Sequence, residues 1–159
     1  MVRAMLERWV ALDETLCVGS AATTADALTL VRETCGATAL LSLQTDDDLG
    51  ARGLRWQTVW SLAMRAGITA ERVPIRDFDK RALLGHIDAA LAALDALLGA
   101  GHRVYVHCTA GLNRSPTVCV AHFARTRGLD AAHAFVLARH PESVAYLDVL
   151  AKWARRAGY

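Results

Sequence analysis

The stretch "VYVHCTAGLNRSP", residues 104–116, runs from an apolar segment into a cysteine, a loop with one glycine, an arginine and a proline. Residues 102–107, "HRVYVH", read as a strand, and "SPTVCVAHFARTRG", 115–128, predicts a helix with Pro116 at its start and Gly128 at its end. Between them lies a loop, Cys108, Thr109, Ala110, Gly111, Leu112, Asn113 and Arg114. Backbone N–H groups in such a loop can curl inward while the helix N-terminus adds free donors and a positive end, a geometry suited to a tetrahedral phosphate. Gly111 allows backbone angles and close approach that a side chain blocks.

A cysteine beside a guanidinium at a helix N-terminus is stabilised as its thiolate, which makes Cys108 the candidate nucleophile. Arg114 offers paired planar donors that grip two phosphate oxygens through a trigonal bipyramidal transition state. Thiolate attack on phosphorus gives a phosphocysteine. Ser115 is placed to hydrogen-bond the departing thiol, and His107 to orient the loop or the thiolate. The leaving oxygen needs a proton from an acid on a neighbouring loop. Asp77 in "PIRDFD" is the candidate, with Asp79 as its understudy, and the same group then activates water against the phosphocysteine.

Outward from this stretch, strands alternate with helices. "TLCVGS" (15–20) reads as a strand, "TTADALTLVRETCG" (23–36) as a Thr-capped helix, and "ATALLSLQ" (37–44) as a buried strand that stops in the acids 46–48. Residues 56–66 can form a helix, and 68–77 a strand that Pro74 marks as an edge or an end. Leu83, Leu84, Ile87, Leu91, Leu94, Leu97 and Leu98 recur at three- and four-residue steps, so 80–98 is a core-packing helix. Helices near 130–139 and 142–156 close the chain. The pattern predicts an α/β sandwich, one domain over 1–159, with a central mostly parallel sheet flanked by helices.

The 159 residues are 53% hydrophobic, enough for one ordinary core and short for two domains. A formal charge of +2 gives no bulk argument for nucleic acid or a membrane surface. "MVRAMLERWVALDE" carries Arg3, Glu7, Arg8, Asp13 and Glu14 through the region that an export signal keeps apolar. "LLGHIDAALAALDALLGAG" is broken by His86, Asp88 and Asp95 and reads as too short and polar to span a bilayer. Cys17, Cys35 and Cys119 lack metal-type spacing and are read as buried small hydrophobes in a reducing, cytoplasmic compartment. The remaining histidines, His86, His102, His122, His133 and His140, form no metal spacing and are read as solvated or capping groups.

"HCTAGLNRS" matches the H-C-x-x-G-x-x-R-S signature of cysteine-dependent protein tyrosine phosphatases, and its context resembles the dual-specificity subfamily. "LCVGSAATTADALTLVRETCGATALLSL" is similar to that family's opening strand-helix-strand, and "VPIRDFD" to its acid loop. Within the subfamily, "LSLQTDDDL", "IRDFD" and "HCTAGL" resemble the laforin-like and plant glucan phosphatases, in which an aromatic at the position of Phe78 lies against glucan. Trp56 and Trp60 sit where the family keeps a variable loop and are either a sugar-stacking platform or core residues. Asn113 stands where the glucan group has glycine, and Val144 near where another glucan-contacting aromatic is sought. Asn tolerates left-handed angles, so the loop is expected to keep its shape.

The resemblance implies a phosphomonoester hydrolase needing no cofactor or metal and acting on a phosphorylated substrate, with oligomeric state open. Phosphoproteins lead, phosphoglucan follows, and small phosphorylated metabolites come third, since Lys80 and Lys152 are the only lysines available to a polyanion pocket. A phosphate-binding module without turnover has no need of both Cys108 and Asp77. A redox or sulfur-transfer protein has no need of Asp77.

Overall fold

The computed structural model describes residues 6–159; Arg3, one of the charges read against an export signal, lies outside them. Five strands form one sheet: β1 (Trp9–Ala11), β2 (Leu16–Gly19), β3 (Ala39–Ser42), β4 (Thr69–Arg72) and β5 (Val104–His107), in the order β1-β2-β5-β3-β4. Only β1 is antiparallel to its neighbour. The mostly parallel sheet is therefore as expected, while β1 itself is an addition that three residues of a polar-flanked segment do not announce. The helices are α1 (Ala25–Glu33), α2 (Asp46–Gly50), α3 (Trp56–Arg65), α4 (Lys80–Gly99), α5 (Arg114–Arg127), α6 (Leu129–Arg139) and α7 (Leu147–Ala157).

Side chains alternate across the strands and so divide the core in two. Leu16 and Val18 of β2, Val104 and Val106 of β5, and Ala39 and Leu41 of β3 face a large cluster roofed by α4, α5, α6 and α7. Cys17, Leu40, Ala70 and Tyr105 face a smaller cluster under α1 and α3. Helix α4 is long and apolar enough to cross a membrane, which corrects the expectation that this stretch is too short and polar. Its stripe of Leu83, Ile87, Ala90, Leu91, Leu94 and Leu97 is nevertheless buried on the sheet.

Three other boundaries differ from the sequence reading, the first being β4, which stops at Arg72 instead of 77 because the chain beyond it is a loop. The acids 46–48 open the short helix α2, because Thr45 accepts from the Asp48 N–H and Asp48 returns a bond to the Thr45 N–H. The last helix starts at Leu147 instead of 142, since Val144 gives its N–H to Leu112 of the preceding loop.

Register places the chemistry. Gly19 of β2 and Ser42 of β3 both lie level with His107 of β5, so the loops after these three strands emerge together. Val73 and Ile75 bond back to Ser42 and Leu43, which brings the 73–79 loop to the same edge. Gly19 is required there: a Cβ on it would overlap the Tyr105 hydroxyl and lie 2.6 Å from the Arg8 carbonyl. Gly19→Ala is expected to push β1 off the sheet and destabilise the fold by roughly 1–3 kcal/mol, read as a lower urea midpoint.

Candidate active site

Cys108 directly follows β5, with its side chain almost wholly buried and its Sγ 3.2 Å from Ser115 Oγ. From there the backbone turns so that every carbonyl of the next four residues meets a donor outside the loop. Thr109 O accepts from the Ala21 N–H at 2.9 Å, Ala110 O from Arg8 Nη1 at 2.9 Å, Gly111 O from His140 Nε2 at 2.7 Å, and Leu112 O from the Val144 N–H at 2.7 Å. A carbonyl only accepts, so His140 Nε2 carries a proton. With the carbonyls held outward, the N–H groups of residues 109–114 are left without protein acceptors among the described residues. They and the N-terminus of α5 form the inward-facing anion cradle that the loop composition implied.

Gly111 sits at φ 76°, and a Cβ on it would lie 2.5 Å from the Gly19 carbonyl carbon, so neither its conformation nor its space admits a side chain. Asn113 corrects an expectation: at φ −121° it needs no left-handed tolerance, and its Nδ2 donates to Val144 O at 2.8 Å. Arg114 is likewise the first residue of α5 and not the last of the loop, with Pro116 third in the helix.

Arg114 is 2% exposed and surrounded by acceptors. Its Nη1 donates to Asp48 Oδ2 at 2.7 Å and to Ile75 O at 2.8 Å. Its Nη2 lies 3.2 Å from Asp77 Oδ2 and 3.3 Å from Thr109 Oγ1, and its buried Nε has no partner among the described residues. Burial works against the Asp48 carboxylate, but the bonds from Arg114 and Thr45 outweigh it and hold this carboxyl below the usual range. The sequence reading gave Asp48 no role beyond ending a strand with its two acidic neighbours. The T-x-x-D spacing of a capping box was the available signal that its side chain turns inward.

The sequence-assigned acid therefore meets the guanidinium of Arg114, the residue that opens the helix after the Cys108 loop. Asp77 also accepts the Phe78 N–H at 3.0 Å, and Phe78, at φ 56° and 84% exposed, projects beside it into solvent. Phe78 is the one non-glycine residue at positive φ among the described residues, and strain of this kind collects at working sites. Asp79 is committed elsewhere, capping α4 through a 2.9 Å bond from the Ala82 N–H. Trp56 is partly buried against the smaller core cluster with the Arg72 guanidinium over its ring at 5.3 Å, while Trp60 is 41% exposed.

His107 is buried, its Nδ1 2.8 Å from Cys108 O and its Nε2 unpartnered among the described residues. Burial, with the nearby Arg114 charge acting in the same direction, pushes its pKa down to about 4, so at neutral pH it is a neutral ring donating through Nδ1. The three other cysteines are buried thiols, and burial raises Cys17, Cys119 and Cys35, the last to about 12. Sequence reasoning missed two supports of the loop: Arg8, in a segment assigned no element, and His140, read as solvated or capping.

The family model described as "Dual specificity phosphatase, catalytic domain" matches residues 38–148. The chain is similar to dual specificity phosphatase 28 of Homo sapiens, 38% identical over 79 residues, which make up 50% of this chain and 45% of that protein. The solved human structure superposes with a TM-score of 0.71 at 25% identity and covers 95% of each chain. It is also similar to the chloroplastic phosphoglucan phosphatase LSF1 of Arabidopsis thaliana, 29% identical over 135 residues, 84% of this chain and 23% of that protein. Tk-PTP in the active form gives a TM-score of 0.75 at 22% identity over 93% of this chain and 97% of that chain, a likeness of fold. The matched stretches span less than half the length of these curated relatives.

Removing the Asp48 carboxylate leaves Asp77 as a counter-charge to Arg114. Asp48→Ala is therefore expected to cost roughly 1–3 kcal/mol of stability and to lower kcat/KM for p-nitrophenyl phosphate, measured by urea unfolding and initial rates. His107 sets a pH dependence. Its folded pKa of about 4 lies below the ordinary value of 6.5, so the unfolded chain binds the proton first as pH falls. Stability should drop from about pH 6.5 to about pH 4 and level off below. Comparing unfolding midpoints of wild type and His107→Asn across that window isolates this contribution from the similarly depressed His122.

Proposed function

The chain belongs to the dual specificity phosphatase family, and on that premise we propose that it hydrolyses phosphomonoesters through a phosphocysteine on Cys108. The observation that carries this reading is the cradle itself, whose N–H groups face inward above a buried cysteine sulfur with Ser115 Oγ 3.2 Å from it. A phosphoryl group seated there places its equatorial oxygens on the loop N–H groups and on Arg114. The thiolate attacks phosphorus from below, the P–O bond opposite breaks, and the leaving oxygen takes its proton from Asp77. Seating the phosphate competes with Asp77 for Arg114 Nη2, which frees the carboxyl to meet the leaving group. Ser115 then donates to the sulfur as water, activated by Asp77, displaces it and releases phosphate.

The preferred substrates are phosphotyrosine, phosphoserine and phosphothreonine proteins, in line with the family and with the similarity to dual specificity phosphatase 28. A second reading, a phosphoglucan, is supported by Phe78, whose exposed ring stands beside Asp77 where a sugar face would stack, and by the likeness to LSF1 over most of the chain. Cytoplasmic residence accompanies either reading as part of the proposal.

Phosphate release by wild type and Cys108→Ser from p-nitrophenyl phosphate, a phosphotyrosine peptide and phosphorylated amylopectin separates these. Cys108-dependent release from the aryl ester and peptide but not amylopectin is the expected result; selective release from amylopectin would establish the second reading. Asp77→Ala should cost roughly 100-fold or more in kcat/KM on alkyl phosphates and much less in kcat/KM on p-nitrophenyl phosphate, whose leaving group barely needs a proton. No loss on alkyl phosphates would remove Asp77 as the acid.

A further inference from the structure

Strand β2 sends its chain into α1 on one face of the sheet, whereas its neighbour β5 sends its chain into α5 on the other. Adjacent parallel strands whose connections diverge in this way leave a crevice at their C-terminal ends, where α/β proteins bind ligands. The catalytic loop fills part of that crevice. The rest is a polar cavity of about 90 Å³ bounded by Ser20, Thr23, Thr24, Arg52, Thr109 and Glu7. Thr109, which directly follows Cys108, forms part of its wall, so the cavity adjoins the catalytic loop.

Its walls are rich in unspent donors. Thr23 is 6% exposed and lines the cavity, yet its hydroxyl has no hydrogen-bond partner among the described residues. Thr24 caps α1 by accepting from the Ala27 N–H, which leaves its own O–H free, and the first N–H groups of α1 open beside it. Arg52 makes no ion pair among the described residues, and Asp26, in the first turn of α1, is not among the residues that line the cavity. Glu7 is the single acid on the wall among the described residues.

We propose that this cavity is a second oxyanion subsite, which holds an acidic group carried by the substrate next to the phosphate being hydrolysed. The proposal rests on the phosphatase reading. Thr23, Thr24, the α1 N-terminus and Arg52 receive the anion, and Glu7 sets a repulsive edge that weakens it.

The test compares kcat/KM for two phosphotyrosine peptides, one flanked by glutamates and one by glutamines, with p-nitrophenyl phosphate as the basal substrate. Wild type should prefer the glutamate peptide by roughly tenfold. Thr23→Val and Arg52→Gln should each reduce that preference, Glu7→Gln should enlarge it, and all three should leave p-nitrophenyl phosphate turnover unchanged. Equal rates on the two peptides in wild type, or a preference that survives in both Thr23→Val and Arg52→Gln, would overturn the subsite. A smaller preference in Glu7→Gln would overturn it too, because a carboxylate that helps binding marks a neutral hydroxylated ligand. If p-nitrophenyl phosphate is not hydrolysed at all, the phosphatase reading fails by itself. Calorimetric binding of the two peptides to Cys108→Ser then decides the subsite by the same preference.

Discussion

Four outward-turned carbonyls hold the candidate site together. A peptide group presents C=O and N–H on opposite sides, so anchoring the carbonyls of Thr109, Ala110, Gly111 and Leu112 to external donors aims the N–H groups of the loop inward. The donors come from places far apart in the chain: Arg8 before β1, Ala21 after β2, His140 at the end of α6 and Val144 before α7. A loop of a few residues thereby takes its shape from most of the domain. The short antiparallel strand β1 gains its purpose here, since it delivers Arg8 to Ala110 and lies over Gly19, whose backbone Gly111 approaches because Gly111 itself has no side chain.

Charge is arranged on the same principle. A guanidinium as buried as that of Arg114 is tolerable only with acceptors on its nitrogens, and Asp48 and Ile75 occupy Nη1 permanently from behind. Nε is unpartnered among the described residues, and Nη2 shares Asp77 and Thr109. One edge of the arginine is thus fixed to the fold, while the other presents donors to an incoming phosphate. The acid on Nη2 can be exchanged for substrate without leaving Arg114 uncompensated, because Asp48 remains.

Much of this was legible in the sequence where the determinants are local. Residues 102–128 announce strand, loop and helix through composition, Gly111 and Pro116, and the alternation of strands and helices gives the parallel sheet. The meeting of Asp77 with Arg114 followed from topology, since both residues follow strands that end at one edge. What escaped was long-range or conformational. His140 looks like any histidine before a proline until the fold buries it against Gly111, and Arg8 lies in a segment whose strand is only three residues long. Asp48 is hidden in a run of three acids, of which only the one at the capping-box position turns inward. Asn113 was expected to match glycine by tolerating left-handed angles, whereas it sits at negative φ and ties the loop to Val144 through its side chain.

The account's central claim is that phosphate passes through the sulfur of Cys108. Rapid quenching of Asp77→Ala during turnover of p-nitrophenyl phosphate, followed by mass spectrometry of the peptide containing Cys108, tests it directly. A burst of p-nitrophenolate equal to the enzyme present, matched by a phosphoryl adduct on Cys108, is the predicted result, because formation needs little acid help while hydrolysis of the adduct has lost its base. Steady release of phosphate with no adduct on Cys108 would contradict the account.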